Sequence, residues 1–126
     1  MIVCDFIIEN KDRHFNNFCI IRDVNTLQFI GVAPIFDNGC SLWYDENDMY
    51  VGEFFLTKPF YYEKTQIRLV KKLDLFDVSK LENFTDEVKN ILLTNKLISK
   101  ERIDKIINQI NLRKEYILEL KKSLEN

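Results

Sequence analysis

Residues 17–36 read NFCIIRDVNTLQFIGVAPIF, and this stretch decides the fold of the first half of the chain. Its two apolar segments, NFCIIRD and QFIGVAPIF, have strand character, and the three residues VNT between them are suited to a turn. The pattern therefore predicts a small antiparallel hairpin. In such a hairpin the start of the first strand lies beside the end of the second, so Asn17 and Asp37 are expected to be neighbours.

A cluster of polar residues, NKDRHFNNF at residues 10–18, stands between two apolar segments just before this hairpin. A tight loop at this position brings Asp12 close to Asn17 and Asp37. Magnesium is a hard cation that is held by a few carboxylate or amide oxygens together with substrate phosphates. An aspartate, an asparagine five positions later and a second aspartate after a hairpin form the magnesium site of kinase-type phosphotransferases.

The string DFIIENKDRHFNN, followed by GVAPIFDNGCSLW, resembles the catalytic half of HipA-like serine/threonine kinases. Members of that family carry D-x-H-x-x-N, then a hairpin, then an apolar-Pro-apolar-aromatic-Asp segment. The matching residues here are Asp12, His14 and Asn17, then residues 33–37. The D-R-H-x-x-N string is also similar, more distantly, to the catalytic loop of phosphoinositide kinases. The matching motifs lie within residues 1–45, and the helical remainder matches the C-terminal kinase lobe only in order and character.

The resemblance implies a role for each motif residue. Asp12 is the expected catalytic base, and Asn17 and Asp37 are the expected ligands that hold Mg²⁺ against the phosphates of ATP. Each residue also has a structural alternative. Asp12 can cap a turn, Asn17 can bond the backbone where a strand begins, and Asp37 with Asn38-Gly39 is a common turn sequence. The implied substrate is a protein hydroxyl, and the sequence does not exclude a lipid acceptor.

Four further features near the motif each have two interpretations. His14 is expected to be a structural donor that braces the loop rather than a proton shuttle, and Arg13 a salt-bridge partner rather than a phosphate ligand. Lys58 is either a nucleotide-binding residue near the site or a solvated lysine. The aromatic run WYDENDMYVGEFF at residues 43–55 is a substrate groove or ordinary packing, and its acidic part, DENDM, is expected to be an exposed loop.

Outside the polar cluster and the hairpin, the first segments lack a clear hydrophobic periodicity, and the later residues have a helical one. Residues 3–8, VCDFII, are too short to be expected as an element, and residues 38–60 are expected to be irregular. Residues 62–73 and 81–97 are helical in pattern, and Ser99 is expected to cap a final long helix. The apolar residues expected to pack from these helices are Ile67, Val70, Leu73, Phe84, Val88, Ile91, Leu92, Ile103, Ile106, Ile107, Ile110, Ile117, Leu120 and Leu124.

Together these patterns predict an α+β fold, a mostly helical kinase-like C-terminal lobe with a small antiparallel β-hairpin that carries the catalytic and metal residues. Its 126 residues are expected to form a single domain. The net charge of −2 provides no strong field for direct binding of nucleic acid. No apolar run is long enough to span a membrane, and the first residues lack the features of a signal peptide. The three cysteines are too far apart for a CxxC motif, which favours free thiols in the cytoplasm.

The chain departs from a complete kinase of this type in one respect. Asp12 comes near the start, and the three glycines Gly31, Gly39 and Gly52 all follow the catalytic loop. A nucleotide-binding N-terminal lobe, and the helix that leads into the catalytic loop, are therefore expected to be missing. ATP and Mg²⁺ are expected to bind only if an N-terminal lobe completes the cleft.

Two hypotheses follow from the missing lobe. The chain is either a truncated kinase domain, inactive alone, or a non-catalytic interaction module that binds a partner through the face an N-terminal lobe would cover. The expected partner is a separately encoded N-terminal lobe or a second copy in a homodimer. Its contact surface is predicted to include Ile2, Val3, Phe6 and the aromatics of residues 43–62. A toxin–antitoxin role is permitted by the resemblance.

Overall fold

The computed structural model describes residues 1–46, 52–74 and 76–125. Over these residues it is a mixed α+β structure with two separate antiparallel sheets of two strands each, so the predicted α+β class is confirmed. Short 3₁₀ helices occupy Phe15–Asn17 and Val78–Leu81. The other elements, in chain order, are α1 (Ile2–Ile8), β1 (Ile20–Arg22), β2 (Phe29–Val32), β3 (Leu56–Thr57), β4 (Tyr61–Tyr62), α2 (Glu63–Ile67), α3 (Phe84–Leu93) and α4 (Lys100–Glu125).

Helix α1 corrects two expectations from the sequence. Residues 3–8 were predicted to be too short for an element, yet they lie in a helix that places Val3, Phe6 and Ile7 in the core. An isolated helix of this length is unstable in water, so its packing against α2 and α4 must stabilise it. The chain therefore has a helix leading directly into the polar loop. The predicted contact surface at the start of the chain is wrong, because Val3 and Phe6 are buried.

Helix α4 provides the largest part of the core. Its N-terminus follows the predicted cap, because the N–H of Arg102 donates to Oγ of Ser99 at 3.2 Å. Five of the predicted isoleucines are buried, and Leu120 packs against them while partly exposed. Leu124, in the last turn of the helix, is exposed. The buried positions are Ile103, Ile106, Ile107, Ile110 and Ile117.

Helices α2 and α3 are shorter than the sequence predicted. The helix expected over residues 62–73 ends at Ile67, although Val70 and Leu73 still pack against the core from the turns that follow. In α3, Ile91 was expected to be buried and is 68% exposed. Thr85 is buried in the same helix, so the buried face of α3 contains Thr85 and excludes Ile91.

The predicted hairpin is present in β1 and β2. Ile20 pairs with Val32 and Ile21 with Gly31, and a bulge follows before the next pair. The N–H of Ala33 donates to the carbonyl of Cys19 at 2.9 Å, which extends the pairing toward the polar loop. Every residue of both strands is exposed. The hairpin therefore stands away from the core instead of covering it.

Residues 38–46 and 52–60 are largely irregular as predicted, but they also contain β3, which pairs with β4 in a second small hairpin. Within the aromatic run, Trp43 is buried and Phe54 and Phe55 pack against the core while partly exposed. Part of that run and of DENDM, residues 47–51, lies outside the described residues. Cys4, Cys19 and Cys40 are free thiols. None of the described helices is both long and apolar enough to cross a membrane.

Candidate functional site

A buried arginine organises the polar loop. Arg13 is fully buried, and its Nε and Nη2 donate to the two carboxylate oxygens of Asp5 at 3.0 and 2.8 Å. Its Nη1 donates to the carbonyl of Asn17 at 2.9 Å and also to the carbonyl of Phe36. Arg13 is thus a salt-bridge partner, as predicted. It joins α1 to the loop and to the end of β2, so that Asn17 and Asp37 lie at the same end of the hairpin.

Two asparagines strengthen this connection. Nδ2 of Asn10 lies 3.3 Å from Oδ1 of Asp5 and 3.4 Å from the carbonyl of Asp37. Arg13 Nη2 also donates to Oδ1 of Asn38 at 2.5 Å. The sequence reasoning assigned no site role to Asp5, Asn10 or Asn38. One signal was available, since a carboxylate within the apolar segment VCDFII requires a buried partner.

Asp12 is the most accessible member of the loop motif. Its Oδ1 lies 2.6 Å from Nζ of Lys58, and its Oδ2 lies 3.9 Å from Nε2 of His14. The hydrogen bond from Lys58 holds the pKa of Asp12 below its ordinary value. The carboxylate is therefore ionised at neutral pH, and Oδ2 has no hydrogen bond from the described part of the chain.

Asn17 has a buried side chain with one free oxygen. Its Nδ2 donates to the carbonyl of Asp12 at 3.0 Å, which fixes the amide in the 3₁₀ turn at the base of the hairpin. Its Oδ1 accepts no hydrogen bond from residues 1–46, 52–74 or 76–125. The backbone-bonding alternative and the ligand hypothesis are thus compatible, because the amide nitrogen fixes the side chain and the oxygen remains available.

Asp37 has a fixed backbone and a free carboxylate. Its φ of 55° lies in the left-handed region, which aspartate tolerates better than most residues. Its carbonyl accepts from Asn10, whereas its exposed carboxylate makes no hydrogen bond or ion pair with any described residue. The metal roles of Asn17 and Asp37 stay predictions, and the geometry gives both residues a free oxygen.

His14 braces the loop, but as an acceptor. Its Nδ1 accepts a hydrogen bond from the N–H of Asn16 at 3.3 Å, which caps the 3₁₀ turn. The sequence predicted a structural donor, so the bracing role is present and the direction of the hydrogen bond differs. The imidazole accepts at Nδ1 because its partner there is a backbone N–H, which can only donate.

Carboxylate and amide oxygens fit a hard cation such as Mg²⁺, which keeps several waters and takes the rest of its ligands from phosphates. Within the described ranges, no three His, Cys, Asp or Glu side chains form a metal-binding group. A metal site on Asn17 and Asp37 therefore stays a prediction, in which water or bound phosphates would supply the remaining ligands.

A second charged group lies beside the loop. Nζ of Lys11 lies 2.9 Å from Asp45 Oδ1, 2.7 Å from Glu46 Oε1 and 3.6 Å from Glu9 Oε1. Glu9 is fully buried, and burial raises its pKa to about 8 although Lys11 acts against this. Its Oε2 accepts from the N–H of Trp43 at 3.2 Å. Lys11 is fully engaged here, and Lys58 is the lysine that reaches Asp12.

No protein-family model, curated protein or solved structure matches this chain.

Proposed function

We propose that this chain is the catalytic and metal-binding lobe of a HipA-like, ATP-dependent kinase that phosphorylates serine or threonine hydroxyls of a protein. The observation that carries the proposal is the bonding of Arg13 to the carbonyls of both Asn17 and Phe36. This bonding brings the loop that contains Asp12 to the segment that contains Asp37. Those are the two chain segments that the family's motif requires to meet.

The proposed roles follow from the free atoms. Oδ2 of Asp12 accepts the proton of the acceptor hydroxyl as its oxygen bonds to the γ-phosphorus of ATP and the bond to the ADP oxygen breaks. Oδ1 of Asn17 and the carboxylate of Asp37 would hold Mg²⁺. When bound, Mg²⁺ neutralises negative charge on the phosphates. Because this chemistry depends mostly on position and charge, the fixed backbone of the loop supports it.

These 126 residues contain no glycine-rich segment before the catalytic loop. Productive binding of ATP with Mg²⁺ is therefore proposed to require an N-terminal lobe that completes the cleft, whereas a divalent cation alone can bind Asn17 and Asp37 with water as its remaining ligands. The free cysteines support a reducing, cytoplasmic location.

Metal binding tests the proposal without requiring turnover. Mn²⁺, a paramagnetic substitute for Mg²⁺, should broaden the NMR signals of the Asn17 side-chain amide and the Asp37 backbone at low concentration. Asp37→Ala should weaken broadening of the Asn17 side-chain amide at least tenfold, and Asn17→Ala should weaken broadening of the Asp37 backbone at least tenfold. Asp104→Ala on α4 removes one exposed carboxylate and should weaken neither. Equal broadening in all three variants, or none near residue 17 in the unaltered protein, would refute the metal site.

A second candidate, a non-catalytic interaction module, is favoured by the hairpin. Residues 15–36, here called the hairpin segment, expose eleven large apolar side chains. Summed over both faces of the hairpin they present on the order of 1,000 Å² of apolar surface, whereas the largest contiguous patch on a typical monomer is roughly 300–600 Å². A partner, either an N-terminal lobe or a second copy, is proposed to cover this segment.

A further inference from the structure

Lys58 reaches the carboxylate of Asp12 from a distant part of the chain. The two residues are 46 positions apart in sequence, and Nζ lies 2.6 Å from Oδ1. The lysine side chain is 61% exposed, and exposed ion pairs of this kind contribute little to stability. The pairing therefore adds little to the stability of the fold, and what it changes is the set of partners open to the Asp12 carboxylate.

The backbone around Lys58 is attached to the loop. The N–H of Lys58 donates to the carbonyl of Lys11 at 2.9 Å, and this contact extends as a parallel bridge to Asp12. Oγ1 of Thr57, which is buried, donates to the carbonyl of Asn10 at 3.1 Å. The ammonium group thus extends from a strand whose position relative to the loop is fixed, and the ion pair does not itself set that position.

Asp12 is also fixed by its own backbone. Its N–H donates to Oδ1 of Asn10 at 3.2 Å, and its carbonyl accepts from Nδ2 of Asn17. Asn17 carries the free Oδ1 that is proposed to bind metal. The Asp12 carboxylate therefore belongs to a residue that is hydrogen-bonded to a proposed metal ligand. An unpaired carboxylate there is a harder and more strongly binding oxygen ligand than the neutral amide.

We propose that Lys58 is a positioning residue of the phosphotransfer site, which occupies Oδ1 of Asp12, withholds that oxygen from the metal and leaves Oδ2 for the acceptor hydroxyl. The inference rests on the proposed function, since it presupposes the metal site on Asn17 and Asp37. It assigns the two oxygens of one carboxylate to different partners. One binds a fixed cation of the protein, and the other is free for the proton.

Mn²⁺ titration of Lys58 variants, followed by broadening of the Asn17 side-chain amide, tests this role. Lys58→Met removes the cation but keeps a side chain of similar length. It should raise Mn²⁺ affinity about three- to tenfold at low ionic strength, because a positive charge is lost and a carboxylate is released. Lys58→Arg should keep the affinity of the unaltered protein. Lys96→Met, which removes a lysine in the turn before α4, controls for net charge.

A double-mutant cycle with Asp12→Asn separates release of the carboxylate from general charge effects. In the Asp12→Asn background, Lys58→Met should change Mn²⁺ affinity by less than half of its effect on the unaltered protein. An equal effect in both backgrounds, or no effect of Lys58→Met where Mn²⁺ does bind, would overturn the role of Lys58. Absence of site-specific broadening in every variant would instead refute the metal site itself, and the inference would fall with it.

Discussion

The polar loop (residues 10–18) and the hairpin segment (residues 15–36) overlap in sequence at residues 15–18 and are opposite in character. The loop is rich in charged and amide side chains, and yet its central residue, Arg13, is fully buried. The hairpin segment is rich in apolar side chains, and yet Phe29 is 72% and Val32 82% exposed. The buried cation of the loop has its partners within the described structure, because Arg13 bonds to Asp5, Asn17 and Phe36. The hairpin segment is incomplete, because apolar surface of this extent is normally covered.

The strongest test of this comparison removes the buried cation. Arg13→Ala leaves the carboxylate of Asp5 buried without its partner, and such a change typically costs about 3–5 kcal/mol. It also removes the hydrogen bonds from Arg13 Nη1 to the carbonyls of Asn17 and Phe36. Mn²⁺ broadening at Asn17 should therefore be lost. Urea unfolding monitored by circular dichroism measures the first effect. Arg68→Ala, at an exposed site after α2, should change stability by no more than about 0.5 kcal/mol. Similar midpoints for the two variants would contradict the central role of Arg13.

The next largest effect is expected on association. If a second copy covers the hairpin segment, light scattering at tens of micromolar should give the mass of a twofold dimer. Phe29→Lys combined with Val32→Lys should give a monomer that keeps the circular dichroism spectrum of the unaltered chain, since both side chains are already exposed in the fold. Leu97→Lys places the same charge at another exposed apolar residue and should leave the dimer intact. A monomer mass for the unaltered chain would rule out self-association and leave a different polypeptide as the partner.

A smaller effect on the free energy of unfolding is expected when the pH is varied, and it comes from Glu9 at the edge of the loop. Because burial raises the pKa of Glu9 to about 8, the folded state retains a proton that the unfolded state loses near its ordinary value of 4.5. The free energy of unfolding should therefore fall as the pH rises from about 4.5 to about 8 and then level off. Asp12 contributes no slope in that range, since its pKa is lowered and it titrates only in more acid solution.

Glu9→Gln provides the control for this pH dependence. The amide cannot ionise, so urea midpoints at pH 5 and pH 8.5 should be closer together in this variant than in the unaltered chain. An unchanged difference between the two pH values would mean that another group is responsible.

The smallest expected signal is phosphate transfer. The purified chain should not transfer radiolabelled phosphate from ATP to itself or to a protein acceptor at a measurable rate, because under the proposed function these residues form the catalytic and metal half of the cleft and not its nucleotide-binding half. Transfer that Asp12→Ala abolishes would show that the chain is active alone. It would also remove the need for a second lobe.

Local pattern was sufficient for several parts of this protein. Helix α4 and its Ser99 cap followed from helical periodicity and from one hydroxyl at the correct position. The β1–β2 hairpin followed from two apolar segments around a turn. The placement of Asn17 and Asp37 at one end of it followed from antiparallel geometry. In each case residues near in sequence determine the structure, so a single sequence carries the information.

Tertiary structure alone decided the rest. Helix α1 is too short to form by itself and exists because α2 and α4 bury its apolar face. The burial of Arg13 depends on Asp5, Asn17 and Phe36 meeting in space. Lys58 meets Asp12 only because β3 lies against the loop. Whether apolar residues face the core is also a tertiary property, which is why the exposed surface lies on the hairpin segment and not at the start of the chain. The sequence determined which groups were available for chemistry, and long-range packing determined which of them meet and which remain free.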